Sequence, residues 1–155
     1  MSSNEVDLLK WPDPLPGSWT AVVSPAADAE VTRYAVFDDG RPAGTVAVEF
    51  VMATPLAASY PVSARDRLLT PDAGAGAEAL QLVSERILQM DPACRRLVRA
   101  VDEGDIAAIA LGEAAGYRYV VDVDIPGRSL ALLAAEPGWV MEASRYLDDV
   151  PTKGS

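Results

Sequence analysis

Residues 102–125 carry the pattern that most narrows the fold: a short apolar helical period over 105–115, then Gly116, then at once a strand period over 117–125. Glycine suits the left-handed cap that ends a helix, so the chain must turn there and lay the next segment back against a sheet. A second change of period lies upstream. Leu80, Val83, Ile87 and Met90 recur at helical spacing over 77–90, between β-type segments at 66–70 and 96–101. A strand–helix–strand unit of that length needs a parallel pairing. The β-branched segments at 31–37 and 43–51, joined by Asp38-Asp39-Gly40-Arg41, instead read as an antiparallel hairpin. One mixed, mostly antiparallel twisted sheet flanked by helices, hence an α+β fold, satisfies both demands.

The remaining segments fill in around that sheet. Residues 19–23 read as a first strand. Pro12, Pro14 and Pro16 make 1–18 an extended lead-in packed through Trp11 and Leu15. Prolines and small residues over 53–63 read as a loop, 139–147 as a terminal helix and 149–155 as a tail, leaving 19–148 as the single domain. Alternation sets Leu97 and Arg99 on one face of their strand, and Val98 and Ala100 on the other. In the 105–115 helix, Ile106, Ile109, Ala110 and Ala114 are expected to face the core.

Composition removes whole classes of chemistry. The 155 residues contain no histidine, which excludes Ser-His-Asp and Cys-His catalysis and histidine-ligated metals. Proton transfer falls to Glu, Asp, Lys, Tyr, Cys or water. A net charge of −10 argues against nucleic-acid and anionic-membrane partners, and either serves solubility alone or leans towards a cationic or amine-bearing ligand. Cys94 is the one cysteine, so no internal disulfide forms, and no apolar run spans a bilayer; a cytoplasmic protein is expected. Half of the residues are apolar, enough for a packed core.

Two stretches resemble motifs of the GNAT (GCN5-related N-acetyltransferase) family, over about 100 of the residues. Gly74-Ala75-Gly76, opening the 77–90 helix, is similar to the family's Arg/Gln-x-x-Gly-x-Gly/Ala loop, with Pro71 at the Arg/Gln position. Asp105, Ala108, Leu111, Gly116 and Tyr117 follow its Asn-x-x-Ala-x-x-Leu-Tyr-x-x-x-Gly-Phe motif, with Gly112 where the tyrosine stands. The resemblance implies acetyl-CoA or another acyl-CoA as cofactor, no metal, and transfer to an amine of a small molecule or peptide. It implies cofactor contacts from Leu69, Thr70, Gly74, Ala75, Gly76, Ala77 and Asp105. Backbone amides and the helix dipole favour a pyrophosphate at such a turn, whereas the nearby Asp72 and Glu78 repel one. The tyrosine that protonates the leaving thiolate in many members has no counterpart at Gly112. The family's two helices between the first strands are also missing, since only 24–30 separates them; acceptor recognition then falls to the 52–64 loop with Tyr60, or to a second subunit in a homodimer.

Other candidates come from the residues themselves. Glu49, flanked by Val48 and Phe50, is either a base whose pKa burial raises or an outward-facing strand residue. Asp102 and Glu103, just past a strand end, either bind an ammonium group and act as base through water, or cap the following helix. Glu49 and Glu103 are the catalytic candidates; Tyr60, Asp102 and Tyr117 are the substrate-binding ones, with core packing the other reading of Tyr117. Arg65 and Arg67 either offset phosphate charge or pair with nearby acids. Three functions stay open: an acyl-CoA-dependent N-acyltransferase, a GNAT-like enzyme that has lost coenzyme A and works as a lyase or decarboxylase, and a non-catalytic binding module.

Overall fold

The computed structural model describes residues 12–13, 15–24, 31–58 and 63–136. Trp11, Tyr60 and the helix expected at 139–147 lie outside the described residues. Among the described residues seven strands form one sheet: β1 (Trp19–Val23), β2 (Thr32–Asp38), β3 (Arg41–Phe50), β4 (Arg67–Pro71), β5 (Leu97–Asp102), β6 (Arg118–Ile125) and β7 (Arg128–Ala135), in the order β1-β2-β3-β4-β5-β7-β6. Among the described residues two α-helices, α1 (Ala77–Met90) and α2 (Ile106–Ala114), accompany it. The expected mixed α+β sheet is therefore present. β4 and β5 pair in parallel, with α1 as their crossover, and every other neighbouring pair is antiparallel.

Local chemistry accounts for the turns. Asp39 and Gly40 both take positive φ, 55° and 80°, which is the turn that matches the twist of a β2–β3 hairpin. The strand expected to run to Val51 ends at Phe50, and two short 3₁₀ helices, Val51–Ala53 and Pro55–Ala58, lead into the 53–63 stretch expected as an irregular loop. Thr54 joins them: its Oγ1 donates to the Val51 carbonyl at 2.7 Å and accepts from the Leu56 amide at 3.3 Å. Asp105 caps α2 by accepting the Ala108 amide at 3.1 Å, and Gly116 closes it with φ 102°.

Sheet alternation splits the core into two layers. On the helix side Val46, Val48, Leu69, Leu97, Val101 and Leu133 pack with Ala79, Leu80, Val83 and Ile87 of α1. On the other side Leu68, Val98, Leu130 and Leu132 pack with Val51 and Leu56 of the 3₁₀ segment. Two sequence expectations need correction. Met90 is 62% exposed, because α1 ends there and has run past the sheet. In α2, Ile106 is 73% exposed and Ala110 and Ala114 face outward, while Ala108, Ile109, Leu111, Gly112 and Ala115 turn in. Nearly every residue of α2 is apolar, so hydrophobicity could not choose its face; close approach to β7 does. A Cβ on Gly112 would lie 3.1 Å from Leu133 Cδ2.

Candidate active-site cleft

The β4–β5 seam is where the sheet is least complete. Its register holds for Arg67↔Leu97 and Leu68↔Val98 and then stops. β4 nevertheless continues on β3 to Pro71, and β5 continues on β7 to Asp102. The two strands therefore part beyond Leu68 and Val98, opening a wedge between Leu69–Pro71 and Arg99–Asp102. Leu69 is wholly buried and Thr70 exposed at its β4 edge. From the β5 edge Arg99 reaches across, and its Nη1 donates to the Leu69 carbonyl at 3.2 Å. A side chain thus meets the first carbonyl past the last register pair, where a ladder bond would otherwise continue.

Beyond β4 the 72–76 turn leads into α1. Asp72 Oδ1 accepts the Gly74 amide at 3.0 Å and the Thr45 amide at 3.2 Å, and the Asp72 carbonyl accepts the Ala75 amide at 3.0 Å. The Gly74 and Ala75 amides are thereby engaged within the turn. The start of α1 differs: Gly76 stands at its N-cap and, among the described residues, no side chain caps it, while Glu78 lies in its first turn. An uncapped helix N-terminus attracts an anion. Cβ atoms at Gly74 and Gly76 would meet nothing nearer than 3.7 and 3.4 Å, so neither glycine is required by packing within the chain. Gly44 on β3 is, because a Cβ there would lie 2.4 Å from Ala75 Cα, at φ 105°. The turn rests on Gly44, a dependence that sequence reading missed.

The other candidates fall at several levels. Glu49 is half-buried on β3 and sits opposite Leu68, which puts it on the face away from α1. Glu103 is exposed in the turn after β5, its amide donating to the Ser129 carbonyl at 3.0 Å. Val98 is level with Leu68, so the two carboxylates stand about five strand residues, roughly 16 Å, apart along the sheet. They do not act as a pair. Asp102 is exposed and ion-paired with Arg128 at 2.5 Å. Asp105, not Asp102 or Glu103, supplies the helix cap. Ala77 is half-buried in the first turn of α1. Tyr117 is fully buried, with its hydroxyl 2.7 Å from Ser84 Oγ on α1. Burial pushes its pKa far up, so it stays a neutral phenol.

Arg65 and Arg67 lie at the far end of β4 from the glycine turn. Both pair with Asp91 Oδ2 at 2.8 Å, and Arg67 also stacks on Phe50 at 4.1 Å. Those hydrogen bonds, that from Arg65 foremost, hold the Asp91 carboxyl below its ordinary range. Cys94 is buried with Sγ 3.4 Å from the Arg96 carbonyl, and burial raises its thiol pKa. Among the described residues no group of three or more His, Cys, Asp or Glu could hold a metal ion, and no helix is long and apolar enough to cross a membrane.

No protein-family model matches this chain, and no curated protein matches it in sequence. Solved structures do. An uncharacterised protein from Bacillus halodurans superposes with a TM-score of 0.62 at 18% identity, over 76% of this chain and 64% of that one. The chain thus spans under two-thirds of that protein's length. The aminoglycoside acetyltransferase AAC(6')-Ib, in complex with coenzyme A, superposes with a TM-score of 0.63 at 16% identity, over 77% of this chain and 73% of that one. The same enzyme with paromomycin and acetyl-CoA gives 0.62 at 15%, over 75% and 70%. Identity this low speaks for shared architecture, and with the parted β4–β5 seam and the glycine turn it leads to one conclusion: the chain is a divergent protein of GNAT-like fold.

Proposed function

We propose that the protein is an acyl-CoA-dependent N-acyltransferase, acetyl transfer first, acting on an amine of a small molecule or peptide. The parted β4–β5 seam, ending at the uncapped N-terminus of α1, carries this reading. Solved neighbours of the same fold were crystallised with coenzyme A or acetyl-CoA, which supports it. Gly76 and Ala77 would hold the pyrophosphate through their amides. Leu69 and Thr70 would line the pantetheine arm, with Gly74, Ala75 and Asp105 flanking it. Coenzyme A supplies the acyl group as an activated thioester. The chain's own part is to orient the amine and take its proton. Glu49 or Glu103 does so, the latter through a water, in keeping with a protein that has no histidine. Asp102 and Tyr60 are the proposed amine contacts. Tyr117 steadies α1 against the sheet through Ser84.

A second reading has a specific observation behind it. Asp72 occupies the Gly74 amide and adds a carboxylate to the turn, which favours a GNAT-like enzyme that no longer uses coenzyme A. Calorimetric titration with coenzyme A and acetyl-CoA separates the two. A binding isotherm with a rise in melting temperature is expected; no heat and no thermal shift at millimolar ligand would sink the acyltransferase. Glu49→Gln or Glu103→Gln should then lower kcat by 10²-fold or more, on the order of a general base's contribution. Full rates in both variants would remove these carboxylates from the reaction.

A further inference from the structure

Arg99 is buried, 6% exposed, on the helix side of β5 between Leu97 and Val101. Its one hydrogen bond among the described residues runs from Nη1 to the Leu69 carbonyl, and its Nε is buried with no acceptor. Among the described residues no carboxylate forms an ion pair with it, although Asp105 is near enough to attract it electrostatically. The acids that could do so are committed elsewhere: Asp105 to the cap of α2, Asp102 to Arg128, and Asp91 to Arg65 and Arg67. A guanidinium without a counter-ion is costly to bury. Closing the gap at the Leu69 carbonyl does not require it, because a neutral amide donor reaches a carbonyl at much lower cost.

Geometry narrows what the charge is for. The Nη1 bond fixes the plane of the guanidinium and leaves its opposite edge, Nε–H beside Nη2–H, turned away from Leu69. That edge presents two parallel donors, the fork that a carboxylate accepts. The guanidinium stands where β4 and β5 separate, since its Nη1 meets the first carbonyl past the last register pair, and Arg99 lies between the buried Leu97 and Val101 along β5, in low-dielectric surroundings that strengthen a charged contact. With a net charge of −10, the protein as a whole does not gather anions, so an anion held here is held by this one group.

We propose that the β4–β5 wedge binds a small organic carboxylate on the Nε edge of Arg99. On the acyl-transfer reading, from which it takes its place in the reaction, the carboxylate belongs either to the transferred acyl chain, as in a short dicarboxylic acyl thioester, or to the amine acceptor.

Calorimetry and thermal shift on the full chain test this, with succinyl-CoA set against acetyl-CoA, and succinate set against neutral succinamide at matched ionic strength. The carboxylate ligand should bind the native protein at least about tenfold more tightly than its uncharged counterpart in one of these pairs, as expected for a charge-assisted bidentate contact. Arg99→Gln should abolish that preference, and Arg99→Lys should restore part of it. A preference in the coenzyme A pair assigns the carboxylate to the acyl chain. A preference in the succinate pair alone assigns it to the acceptor. If neither coenzyme A ester binds, the acyl-transfer reading falls by itself, and the succinate pair still decides the site. No preference in either pair overturns the proposal, as does a preference that survives in Arg99→Gln. Should Arg99→Gln fail to fold, the native comparison together with Arg99→Lys settles the matter, since a lysine that keeps the whole of the native preference would exclude the forked contact.

Discussion

Gly44 and Asp91 show how single residues set the frame of the cleft. Gly44 lets the 72–76 turn sit directly on β3, and its φ of 105° is one that side chains resist. Gly44→Ala should therefore cost about 2 kcal/mol or more from strain and displaced backbone, whereas Gly74→Ala should stay within about 0.5 kcal/mol, as urea denaturation of the two variants would record. Asp91 makes a pH-dependent contribution at the other end of β4. Its folded pKa is lowered by Arg65 and Arg67, so the stability it adds is present above the unfolded value of about 4 and is lost as pH falls through the folded value. Native protein should be more stable than Asp91→Asn at pH 7, and melting curves of the two should converge as pH drops below about 4. A gap that stayed constant down to pH 2.5 would remove the ion pairs from the account. Little of this was legible in sequence. Gly44 and Ala75 meet only through the fold, and Arg65 and Arg67 were open to either role until Asp91 came between them.

At the scale of elements, α1 and α2 teach opposite lessons. The α1 pattern could be read because polar and apolar residues alternate with helical period, and its ends fall where the sequence sets them, at Ala77 and Met90. In α2 the composition is apolar nearly throughout, so its existence was legible and its orientation was not. Gly112 decides that orientation by allowing contact with Leu133. Gly112→Ala sets a gain in helix propensity of about 1 kcal/mol against a 3.1 Å contact with a movable leucine methyl, so a change within about 1 kcal/mol is expected. Gly112→Tyr, which puts back the residue of the family motif, should instead lower the melting temperature by several degrees, because the ring has no room between α2 and β7. A tyrosine variant as stable as the native protein would mean that α2 can lift from the sheet. The pairing of β4 with β5 was equally legible from the 66–101 unit. Its early end was not, since strand period says where a strand runs but not how long it keeps its neighbour.

For the molecule as a whole, sequence alone conveyed the class of fold, the mixed sheet and the glycine turn. The placement of charge escaped it. Arg99 could be assigned a face of β5, yet nothing nearby in sequence marked it as a buried cation whose Nε has no acceptor among the described residues. The working parts of the candidate site come from β3, β4, β5 and the turn into α1, more than fifty residues apart along the chain. Such a site becomes visible only when the sheet order is known. Binding in the wedge should raise global stability by mass action, about 2.7 kcal/mol at a hundredfold excess over Kd, and a melting temperature that climbs with ligand would report it.

The short β4–β5 register has a mechanical side. Two register pairs join a four-stranded leaf, β1 to β4, to a three-stranded leaf, β5 to β7, while the other strand neighbours share five to seven. Stretched or slowly opened, the sheet should tear along that line first, with α1 as the strap that keeps the leaves together. A molecule lodged between them would touch both at once and act as a rivet. Occupancy should then slow hydrogen exchange in β4 and β5 far more than in the β2–β3 hairpin.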